Sequence, residues 1–83
     1  MTNIIDENIL LVFKERELNG LEILDELNLN RPSPLRLSSL YPALNRLERQ
    51  ELIEWRWGEE IDEAGGARPK YYKLTERGSL TLD

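Results

Sequence analysis

The chain has 83 residues, 40% hydrophobic and 33% charged, with a formal net charge of −5: enough apolar content for one small folded domain, too little for a membrane protein. It has no cysteine and no histidine, which excludes disulfides, thiolate zinc sites, cysteine nucleophiles and the commonest general base, so neither an enzyme nor a cofactor is expected. The longest apolar run, Ile9 to Phe13, is far short of the ~20 residues that span a bilayer; with no signal-peptide pattern at the start, a cytoplasmic protein without a membrane partner is expected.

Ile5, Ile9, Val12 and Phe13 recur at helical spacing and predict a first helix over about 4–17. Leu10 and Leu11 widen its apolar stripe beyond one packing face. Asn19, with Glu22 three residues on, predicts a capped start for a second helix, with Leu21, Leu24 and Leu27 on one side and Ile23 flanking. That helix ends near 28–30, because Pro32 and Pro34 drive their predecessors out of helical geometry.

A third helix is predicted from about 37–39 to Gln50, its start set by Pro42, which is best tolerated near a first turn. Leu40, Leu44 and Leu47 then face the core, and Tyr41, Asn45, Arg46 and Arg49 point elsewhere. Beyond it the period changes to two: Ile53, Trp55 and Trp57 alternate with Leu52, Glu54 and Arg56, as in a strand. A loop with Gly65-Gly66 leads to Pro69 and a second strand over 70–74. Thr75 is a plausible cap for a last segment of barely two turns. The fold class is therefore mainly α with a small β-hairpin (α+β): three helices and a two-stranded wing, the winged helix-turn-helix order, over a single domain of residues 1–83.

The acidic total conceals two basic stretches. Residues 31–50 carry Arg31, Arg36, Arg46 and Arg49 against Glu48 alone. Residues 64–83 carry Arg68, Lys70, Lys73 and Arg77 against Glu76 and Asp83. These stretches fall on the third helix and the hairpin, the parts of this fold that meet DNA, so an anion-binding face is expected despite the net sign. Glu59, Glu60, Asp62 and Glu63 lack calcium-loop spacing and read as a solvated tip.

The run Ser39-Leu40-Tyr41-Pro42-Ala43-Leu44-Asn45-Arg46-Leu47-Glu48 is followed by Leu52-Ile53-Glu54, Trp57-Gly58, Gly65-Gly66, Arg68-Pro69-Lys70-Tyr71-Tyr72 and Leu74-Thr75-Glu76-Arg77-Gly78. In that order and spacing the chain resembles the PadR family of bacterial transcriptional regulators. The resemblance implies a helix over 38–49 in the major groove and a wing over 52–74 on the flanking backbone. It places Ser38, Ser39, Tyr41, Pro42, Asn45 and Arg46 toward the groove, with Arg49 beside them. Arg68, Lys70 and Lys73 would lie along phosphate. It further implies double-stranded DNA as partner, a homodimer, repression, and a small aromatic effector for which Trp55 and Trp57 are candidates.

Tyr41 has a packing role as its alternative, and Arg46 and Arg49 have that of solvated charges. Family members normally continue into helices that build the dimer, whereas this sequence stops at Asp83. Dimer contacts are accordingly expected from the first helix and the tail, through Leu10, Leu11, Leu80 and Leu82. The acidic wing and the short tail also suit another class, a winged-helix module that binds protein rather than DNA.

Overall fold

The computed structural model describes residues 4–59 and 68–82. In chain order these form α1 (Ile4–Phe13), β1 (Leu18–Asn19), α2 (Gly20–Asn28), α3 (Leu37–Arg49), β2 (Ile53–Trp57), β3 (Lys70–Leu74) and α4 (Glu76–Thr81). The α+β winged-helix architecture matches the expectation, with a third strand and a fourth short helix added to it. Gly65-Gly66 and most of the acidic wing segment lie outside the described residues.

Helix α1 is shorter than its periodicity predicts. Lys14 and Glu15 take positive φ angles of 47° and 63°, a region that costs L-residues energy and cannot continue a helix. The turn is closed by the Arg16 amide donating to the Phe13 carbonyl at 3.0 Å. It feeds directly into β1, which pairs antiparallel with β3 through Leu18↔Tyr72 and Asn19↔Tyr71. With β2 also paired to β3, the sheet order is β1-β3-β2.

The cap predicted for α2 is present in both directions. Asn19 Oδ1 accepts from the Glu22 amide at 2.9 Å, and Glu22 Oε1 accepts from the Asn19 amide at 2.9 Å. The buried face of α2 is rotated from the expected one: Ile23 is fully buried, Leu24 partly, and Leu21 is 61% exposed. Leu21 follows the cap at the first turn of the helix and stays largely open to solvent. After α2, the Asn28 side chain clasps the link, donating to the Leu35 carbonyl at 3.1 Å and accepting from the Leu35 amide at 2.8 Å. This two-way bond fixes where the extended proline link delivers the chain to α3.

Leu40, Ala43, Leu44 and Leu47 of α3 are buried against Ile9, Leu10 and Phe13 of α1, Ile23 and Leu27 of α2, and Leu18, Leu52, Ile53 and Tyr72 of the sheet region. Pro42 sits past the first turn, inside the helix; lacking an N–H, it leaves the Ser38 carbonyl without its helical partner, and both residues are exposed to water. Helix α3 ends in a left-handed cap. The Leu52 amide donates to the Leu47 carbonyl at 3.0 Å and the Glu51 amide to the Glu48 carbonyl at 2.9 Å, with Glu51 at φ 60°. Glycine fits that conformation without the Cβ penalty, so Glu51→Gly is expected to stabilise the fold by ~0.5–1 kcal/mol, read as a higher urea midpoint at unchanged m-value.

The cap predicted for the last segment is also present: Thr75 Oγ1 accepts from the Gly78 amide at 3.0 Å and donates to the Glu51 carbonyl at 2.6 Å. Helix α4 thereby docks on the α3–β2 corner, with Gly78 buried against the backbone of Leu52. Among the described residues, no helix is long and apolar enough to cross a membrane.

Candidate nucleic-acid interface

The wing is built on strict alternation. Ile53, Trp55 and Trp57 of β2 pair with Leu74, Tyr72 and Lys70 of β3, while Glu54 and Arg56 pair with Lys73 and Tyr71. Side chains on a strand alternate between faces, so the first set looks toward α3 and the second away from it. Lys70 and Lys73 are three residues apart and therefore fall on opposite faces. Lys73 pairs with Glu54 at 3.4 Å, on the side where Arg56 makes a two-pronged bond to Glu17 at 2.8 and 3.0 Å. That hydrogen bond from Arg56 holds the exposed Glu17 carboxyl below its ordinary pKa. Lys73 thus belongs to an outer ion-pair ladder and not to the helix-facing edge on which Lys70 lies.

On the inner face, α3, the N-terminus of α2 and the wing enclose a groove of about 530 Å³, lined by Tyr41, Asn45, Trp57, Arg68, Lys70 and Gly20 among others. Two side chains expected on the reading helix, Tyr41 and Asn45, and two expected on the wing, Arg68 and Lys70, therefore share one concave surface. Tyr41 is 44% exposed, lines the groove and also packs against α2. Its ring lies over the first residue of α2, where a Cβ on Gly20 would come within 2.9 Å of the phenol oxygen. Glycine at position 20 is what permits that approach. Tyr72 forms part of the groove floor, and its burial pushes the phenol above its usual pKa.

Ser38, Ser39, Pro42 and Arg49 are exposed on α3 outside the groove lining. Arg46 is placed differently from the expectation. Its Nη2 donates to Asp6 Oδ1 at 3.0 Å; the Asp6 side chain is only 5% exposed and that of Arg46 42%. The guanidinium is thus turned back onto α1, tying the two helices together.

The tryptophans also have partners. Their rings meet edge to face at 5.1 Å. The Lys70 ammonium sits 4.1 Å from the Trp55 ring centroid and 5.4 Å from that of Trp57, within cation–π range. The Trp55 indole N–H donates to Glu48 at 2.8 Å, while Trp57 is 52% exposed and lines the groove. Of the leucines expected at a dimer contact, Leu11 and Leu80 are well exposed and Leu82 more modestly so. Leu10 lies wholly inside the core and is not available to a second copy. Sequence reasoning did not find the α2 end of the groove, Asn19 to Leu21, because a helix cap identifies a helix start and not the surface it borders.

Known proteins share this fold. A structure of a PadR family transcription regulator from Clostridium difficile R20291 superposes with a TM-score of 0.82 at 31% identity, over 96% of this chain and 80% of that one. Bacillus subtilis PadR, solved in complex with operator DNA, superposes with a TM-score of 0.79 at 24% identity; it shares the fold, and the present chain spans 45% of its length. An uncharacterized protein of Lysinibacillus sphaericus is 32% identical over 80 residues, covering 94% of this chain and 71% of the relative. The family model of the PadR-like transcriptional regulators matches residues 9–83. A winged helix with α3 and the wing on one groove, matched over almost its whole length, belongs to the PadR-like family of transcriptional regulators, which are not enzymes.

Proposed function

We propose that this chain is a sequence-specific DNA-binding regulator, a repressor acting in the cytoplasm as a homodimer, with α3 in the major groove and the wing on the flanking backbone. The observation that carries this reading is the shared groove of Tyr41, Asn45, Arg68 and Lys70. Asn45 is the residue suited to an adenine edge, which asparagine can meet with two hydrogen bonds. Ser38, Ser39, Pro42 and Arg49 extend the exposed face of α3 along the duplex. Arg68 and Lys70 supply phosphate contacts, which position the protein without reading sequence. Leu11, Leu80 and Leu82 are among the exposed apolar residues open to a second copy, and two copies on a palindrome would supply specificity that one lacks. A small aromatic effector would meet Trp57 in the groove, since the Trp55 indole is already engaged.

The test is fluorescence anisotropy with a duplex from the gene's own upstream region and a scrambled duplex, each at two salt concentrations. Preference for the upstream duplex, weakening with salt, is the expected result. Asn45→Ala is expected to cost ~1–3 kcal/mol on the preferred duplex and little on the scrambled one. Lys70→Ala should weaken both alike and reduce the salt slope by about one. Equal, feeble binding to both duplexes by the unaltered protein would reject the reading in favour of a protein-binding module.

A further inference from the structure

Glu48 stands where elementary electrostatics disfavours it. It is the one acidic residue among positions 31–50, it lies in the last turn of α3 where the helix dipole opposes a negative charge, and it shares a helix face with Tyr41 and Asn45, seven and three residues before it. In the DNA reading, that face enters the groove of a polyanion, whose field disfavours a carboxylate there. What Glu48 does there is accept the Trp55 indole N–H at 2.8 Å, a charge-assisted hydrogen bond from helix to wing. The Lys70 ammonium rests on the Trp55 ring at 4.1 Å, and Trp57 stands edge-on to it at 5.1 Å. The base of the hairpin is fixed by buried Leu52, Ile53 and Tyr72. The outer end is more open, and Trp57 there is 52% exposed.

We propose that Glu48 is a positioning residue for DNA binding: through the Trp55 indole it sets the distance between the cationic edge of the wing and the reading face of α3. The inference rests on the regulator reading above. Three groups act in series. The carboxylate orients the indole, the indole seats the ammonium, and the ammonium reaches phosphate from a fixed place. An acidic side chain thereby supports the binding of a polyanion.

The experiment separates this role from plain charge. Glu48→Ala removes both the negative charge and the acceptor, whereas Glu48→Gln removes the charge and retains an acceptor oxygen. By anisotropy on the upstream duplex, Glu48→Ala is expected to bind about three- to tenfold more weakly than the unaltered protein, and Glu48→Gln more tightly. Trp55→Phe, which keeps a ring under Lys70 but loses the N–H, should weaken binding as Glu48→Ala does. The double variant should be no weaker than either single one. Melting curves establish that each variant is folded. In the NMR spectrum of the free protein, the Lys70 side-chain resonances should move in Glu48→Ala and stay in place in Glu48→Gln. If Glu48→Ala binds the duplex as tightly as Glu48→Gln, charge alone decides and the role of Glu48 is overturned while the regulator reading stands. If the unaltered protein prefers no duplex, the regulator reading falls and takes this role with it.

Discussion

Gly78→Ala is expected to lower the melting temperature of this protein by about 12–24 °C, corresponding to a loss of ~3 kcal/mol. The reason is local and rigid. A Cβ at position 78 would overlap the carbonyl oxygen of Leu52, a backbone atom that has no rotamer into which to withdraw. That oxygen also accepts from the Thr75 amide at 3.1 Å. Moving it would disturb the corner where α3, β2 and α4 meet. Lifting α4 instead would break the Thr75 cap and its bond to the Glu51 carbonyl. Ser79→Ala on the exposed side of the same helix is the control, with an expected change within about 0.5 kcal/mol. A Gly78→Ala protein that melts with the Ser79→Ala one would show that α4 docks more loosely than this contact requires.

The second large effect is asymmetric across one ion pair. Arg46→Ala is expected to destabilise the fold by ~2–4 kcal/mol, and Asp6→Ala by only ~1–2 kcal/mol. Removing Arg46 takes the guanidinium from a carboxylate whose side chain is 5% exposed and which keeps only its remaining contacts, whereas removing Asp6 frees a guanidinium already 42% exposed to water. Desolvation penalises the buried partner far more than the open one. The double variant Asp6→Ala/Arg46→Ala should therefore be more stable than Arg46→Ala alone, as urea titrations of the three proteins would show. A purely additive result would place the value of Arg46 in its aliphatic packing. At temperatures where Arg46→Ala remains folded, its loss of DNA affinity should be no greater for the preferred duplex than for the scrambled one.

Where the sequence could be read, one local rule acted alone. The α2 cap needs only Asn19 and Glu22, three residues apart, and the buried face of α3 needs only the leucine spacing at 40, 44 and 47. The period-two run gave the strand containing Trp55 and Trp57, and β propensity after Pro69 gave β3 over 70–74. Reading failed where partners lie far apart in the chain. Nothing around Asp6 announces Arg46, and nothing in Leu18-Asn19 distinguishes two residues of strand from a turn. The positive φ angles of Lys14 and Glu15 have no glycine to mark them. Lys73 is a different case, because the alternation that identified the strand also assigns Lys70 and Lys73 to opposite faces. Strand parity thus divides the basic stretch between the helix-facing Lys70 and the outward-facing Lys73.

The two-residue strand β1 also has a consequence for how the molecule is made. Leu18 and Asn19 complete their backbone ladder only on Tyr72 and Tyr71, near the other end of the chain. Contacts of such wide sequence separation form slowly, because much of the chain must be ordered before they can close. A chain emerging from the ribosome could assemble α1, α2 and α3 early, yet the edge of β1 would stay open until β3 had cleared the exit tunnel. The groove, which needs Lys70 and Arg68 beside Tyr41 and Asn45, is then among the last features to form. A nascent chain arrested before residue 70 should expose the unpaired edge to proteases and lack any affinity for a duplex.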